Sequence, residues 1–97
     1  MKTLLILLCQ LTAPNNITTK DIGLGRVEFN WTRDTCAEEY VIRYKKIDTL
    51  IWNQVTTKDV PYVFTLPSYD VYVYQVASSN CNGISEWSNF NTLIYLK

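Results

Sequence analysis

The chain has no histidine. That removes the side chain most used as a general base near neutral pH and as a metal ligand. A cysteine nucleophile would need an imidazole beside it and has none. No Cys-x-x-Cys pair offers a thiolate metal site. Glycine is scarce, at three residues, and Gly23 and Gly25 flank a single residue, which reads as a turn and not as a phosphate-cradling loop. Neither sign of charge dominates, because nine basic and nine acidic residues cancel. A neutral balance leaves no electrostatic footprint for nucleic acid or an anionic membrane. Long apolar runs are missing too: Leu4 to Leu11 falls short of the roughly 20 residues a bilayer-spanning helix needs. Asp34, Glu38 and Glu39 form a local group of carboxylates, but loop carboxylates are ordinarily solvated. No catalysis, metal or cofactor is expected.

What is present is apolar and aromatic. Hydrophobic residues make up 47% and aromatic residues 13% of 97 positions. That suffices for one small domain with a packed core, rich in residues that suit strands. Alternation with a period of two recurs along the chain. Val27-x-Phe29-x-Trp31 puts Glu28 and Asn30 outward, and Tyr40-x-Ile42-x-Tyr44 puts Val41, Arg43 and Lys45 outward. Trp52 to Thr57 and Tyr62 to Leu66 give two further strands. Tyr72, Tyr74, Val76 and Ser78 share one side of a longer strand, with Val73, Gln75 and Ala77 on the other. The tetrad Asn80-Cys81-Asn82-Gly83 turns it back toward Ser85-Glu86-Trp87-Ser88. Phe90 and Thr92 fit a last short strand. Several short strands with no helical period predict an all-β, seven-stranded antiparallel β-sandwich.

The hairpin from Tyr72 to Ser88 resembles the F strand and FG turn of a fibronectin type III domain. The match is Tyr72-x-Tyr74-x-Val76-x-Ser78-x-Asn80-x-x-Gly83-x-Ser85, with Ser78 where alanine is usual. The resemblance runs from Pro14 to Thr92, with residues 1–13 an apolar segment and 93–97 a tail or linker. It implies an immunoglobulin-like sandwich with strand A at Pro14 to Thr18 and a core of Trp31, Tyr40, Ile42, Leu66, Tyr72, Tyr74 and Val76. It gives Tyr72 the corner role, its hydroxyl bonding back to upstream backbone, with Tyr69 the rival. It puts Cys36 in the BC loop and Cys81 in the FG loop, at one end of the sandwich. A disulfide between them, like that of many bacterial secreted modules, would contribute at most about 4 kcal/mol. Cys9 is left over. Met1-Lys2-Thr3 before the apolar run is signal-like, though the run reads equally as an ordinary strand.

Two binding surfaces follow from the resemblance. One is the loop end, with Asp34, Thr35, Asn82 and Ile84. The other is the outward sheet face, with Val41, Val73 and Ala77 edged by Arg43, Lys45 and Gln75. No Arg-Gly-Asp adhesion tripeptide occurs. Asn16-Ile17-Thr18 and Asn30-Trp31-Thr32 are glycosylation sequons. The implied function is a non-catalytic binding or spacer module of a secreted or cell-surface protein, monomeric as an isolated domain, with a protein or neighbouring domain as partner. An alternative rests on Ile84-Ser85-Glu86-Trp87-Ser88, which resembles the Trp-Ser-x-Trp-Ser motif of cytokine receptors. There the rings stack on cations from strand F. Here Ile84 replaces the first tryptophan, and Val71, Val73, Gln75 and Ala77 supply no cation. A structural domain of a surface or phage tail assembly is the third reading.

Overall fold

The computed structural model of the chain describes residues 10–96. Residues 1–9, which hold most of the apolar run, Cys9 and the signal-like start, lie outside them. Eight strands follow one another: β1 Thr18–Gly23, β2 Arg26–Asn30, β3 Glu39–Lys46, β4 Asn53–Thr57, β5 Tyr62–Thr65, β6 Asp70–Asn80, β7 Gly83–Ile84 and β8 Asn91–Tyr95. One sheet has the order β1-β2-β5. The other runs β4-β3-β6, and both β7 and β8 pair with the far edge of β6. All pairings are antiparallel. The strand beyond the seven expected is the two-residue β7, which only extends the hairpin at Gly83.

The alternating positions close the core between the sheets. Val27 and Phe29 from β2, Tyr40 and Ile42 from β3, and Tyr72, Tyr74 and Val76 from β6 are buried, as are Trp31 and Leu66. Each contributes about 1.5–3 kcal/mol by leaving water. Rings interlock across the gap: Phe29 meets Tyr74 edge-on at 4.9 Å, and Trp31 meets Tyr40 at 5.2 Å. A buried tyrosine must satisfy its hydroxyl, and Tyr72 Oη donates to the Ser68 carbonyl at 2.8 Å. Tyr69 instead lies 51% exposed, stacked on Tyr95.

Two boundaries differ from the sequence reading. The first strand starts at Thr18, not Pro14, and continues to Gly23. Its register with β2 (Thr18 opposite Asn30) fixes this, and Gly23 and Gly25 both take positive φ in the tight turn between them. The last strand continues through Tyr95, so Leu93, Ile94 and Tyr95 belong to the sheet and not to a tail: Leu93 and Tyr95 are buried beside β6. A short alternating segment shows only that it is a strand, and its inward face appears once β6 is beside it.

Candidate recognition surfaces

The loop end is built by polar bonds between the β2–β3 loop and the β6–β7 turn. Glu38 N–H donates to the Ser79 carbonyl at 2.8 Å, extending the β3–β6 ladder. Cys81 N–H donates to Glu38 Oε1 at 2.9 Å, and Asn80 Nδ2 donates to the Cys36 carbonyl at 3.1 Å. Asp34 organises the other loop. Its Oδ1 accepts the Cys36 N–H at 2.9 Å, and its Oδ2 accepts the Thr12 N–H at 3.0 Å and the Thr12 hydroxyl. Burial pushes the Asp34 carboxyl up, but these donors together outweigh it and hold the group below its ordinary value. Asp34 is thus a half-buried organiser of the loop, whereas Thr35, Asn82 and Ile84 are exposed.

The Cys36–Cys81 bridge implied by the family resemblance is absent. Cys81 is an exposed free thiol, with Sγ 3.9 Å from Asn82 Oδ1. The loops do meet, as expected. However, the contact is made by Glu38 and Asn80, and the Cys81 side chain faces water at the tip of the turn.

The outward sheet face also differs from the strip expected. Gln75 and Ala77 are buried, at 7% and 0% exposure, and Val41 and Val73 are half-buried. The cover includes an aromatic–cation stack. The Arg43 guanidinium lies 4.6 Å from the Trp52 ring centroid and 4.3 Å from that of Trp87. Its Nε donates to Gln75 Oε1 at 2.8 Å, and Gln75 Nε2 donates to the Ser88 carbonyl at 2.7 Å. Lys45 Nζ lies 5.2 Å from the Trp52 centroid, and Phe90 stacks on Trp52 at 6.1 Å. Each cation–π contact contributes about 0.5–2 kcal/mol, depending on exposure.

Two serines anchor Trp87 against β6. Ser85 N–H donates to the Ser78 carbonyl while Ser85 Oγ accepts the Ser78 N–H, at 2.8 and 2.9 Å. Ser88 repeats this on Val76, with both distances 2.9 Å. The pair fills the edge of β6 between β8 and β7, opposite the edge that β3 occupies, where no strand pairs with it. Trp52, Trp87 and Phe90 were not among the predicted binding residues. The stacking cation, expected from β6, comes instead from the neighbouring position on β3, Arg43 opposite Gln75. Alternation already placed Arg43 and Lys45 outward, so that signal was readable.

The two sequon asparagines are exposed and occupied locally. Asn16 Nδ2 donates to Thr32 Oγ1 at 3.0 Å, and Asn30 Oδ1 accepts the Trp31 N–H. Among the described residues no group of three or more His, Cys, Asp or Glu could hold a metal ion. No helix among them is long and apolar enough to cross a membrane.

No family model and no curated protein sequence matches the chain. Solved structures do. A cytokine receptor complex superimposes with a TM-score of 0.79 at 15% identity, over 89% of this chain and 52% of that one. The FN5 domain of Drosophila Lar gives 0.74 at 15% identity, over 91% of this chain and 99% of that one. The FN1-FN3 domains of chicken CNTN1 give 0.72 at 17% identity, over 89% of this chain and 34% of that one.

Proposed function

We propose that this chain, which has the fibronectin type III fold, is a non-catalytic recognition or spacer module acting outside the cell or at its surface. The observation that carries the reading is the loop end. Glu38 and Asn80 hold the two loops against each other and Asp34 braces its own loop, while Thr35, Asn82 and Ile84 are exposed to meet a protein partner. Recognition residues on a preorganised scaffold lose little entropy on binding. The test is capture from proteins secreted by the source organism, comparing the chain with an Asn82→Ala/Ile84→Ala variant. The variant is expected to lose at least about tenfold in affinity, with a Lys20→Ala/Glu28→Ala control on the opposite sheet unchanged. Equal capture by the loop variant sinks the loop-end reading.

A second reading, a cytokine-receptor-type ligand-binding domain, is favoured by the Trp52–Arg43–Trp87 stack and the Ser85 and Ser88 anchors. These reproduce the stacking logic of the Trp-Ser-x-Trp-Ser motif, with β3 supplying the cation. Titration with a panel of helical-bundle cytokines separates the two readings. Loop-dependent binding to one of them supports the receptor reading, and none supports the general module.

A further inference from the structure

We propose that β8 is a self-association edge, through which two copies of the chain pair antiparallel into one continuous sheet. This departs from the monomer expected from sequence. An open strand edge presents unpaired N–H and C=O groups, and proteins commonly protect such edges with charge, proline, bulges or shortness. Of the other edges, β1 and β5 are protected in those ways, and β4 presents polar side chains instead of apolar ones. Strand β1 carries Lys20 and Asp21 and a register shift between Asp21 and Gly23. Strand β5 has only four residues, with Pro61 before it and Pro67 soon after. Strand β4 turns polar Gln54 and Thr56 to solvent. Among the described strands β8 pairs only with β6, and Phe90 to Leu96 contains no charge, proline or glycine.

The same segment is apolar on its outward side. Phe90, Ile94 and Leu96 are 66%, 65% and 63% exposed, and they share parity with Thr92. Outward Ile94 also continues a row across the sheet, opposite Val71, whose carbonyl accepts the Ile47 N–H. The segment complements itself. Antiparallel pairing centred on Leu93 is the register that pairs all five strand residues, and it sets Thr92 against Ile94 and Phe90 against Leu96 of the second copy. A two-fold axis through Leu93 makes the contact isologous and closed, so it stops at two copies. Zero net charge leaves no long-range repulsion to oppose it.

Sedimentation equilibrium from about 10 μM to about 1 mM tests this, because mass action makes the dimer fraction rise with concentration. Ile94→Lys is the edge variant and Gln54→Lys the control on the opposite edge, each checked for native circular dichroism. Thr92→Lys replaces Ile94→Lys if that variant does not fold. The expected result is a dimer whose dissociation constant rises at least about tenfold in the β8 variant but not in the control. Amide exchange of residues 91–95 should slow as concentration rises. A monomer throughout the range overturns the proposal. So does a dimer that survives the β8 variant, one lost equally in the control, or one whose β8 amides gain no protection.

Discussion

Arg43 lies between two indole rings and binds a buried amide, so its planar guanidinium serves both contacts at once. Lysine can keep the charge but not the fork that holds Gln75 Oε1. Arg43→Ala should therefore lower stability by about 2–4 kcal/mol, combining lost cation–π contacts with an unsatisfied buried Gln75. Arg43→Lys should cost less, about 1–2 kcal/mol. Urea denaturation followed by tryptophan fluorescence measures both, and equal stability of Arg43→Ala and the parent would remove the stack from the account.

At the scale of elements, β6 is the strand that meets every part of its sheet except β4. It pairs β3 along one edge, and β8, the two serines and β7 in succession along the other. The serines replace strand pairing with side-chain acceptors, so each hydroxyl satisfies one backbone amide. Ser88→Ala leaves the Val76 N–H without that acceptor, at a cost of about 1–3 kcal/mol. Hydrogen exchange of Val76 should accelerate in Ser88→Ala and that of Ser78 in Ser85→Ala, each by about tenfold or more. Unchanged exchange would mean that the amides find another partner.

Across the whole molecule, Asp34 links segments far apart in sequence. It holds Thr12 and Cys36, and the Thr12 carbonyl accepts from Ser78 Oγ on β6. Its carboxyl lies below its ordinary value when folded, so its contribution is fully present above the unfolded carboxylate range. The contribution is lost as pH falls through the lower folded value. Acidification should thus release residues 10–14 from the loop end while the core remains, seen as faster Thr12 amide exchange. Asp34→Asn should show fast Thr12 exchange already at neutral pH, and a Thr12 amide indifferent to both changes would contradict the linkage.

The sequence by itself determined the all-β class, the order of the strands along the chain, the core-facing residues of β2, β3 and β6, and the Tyr72 corner. Alternation is a local signal, and a buried tyrosine hydroxyl has to find a nearby acceptor. Tertiary structure decided the rest, because it depended on which strand lies beside which. The inward face of β8 became visible only against β6, and Gln75 became buried only when Trp87 and Arg43 closed over it. Cys81 shows the same limit from the other side. Its loop does meet that of Cys36, yet Cys36 is already disulfide-bonded, so the Cys81 thiol stays in water and only its backbone N–H makes a contact, to Glu38.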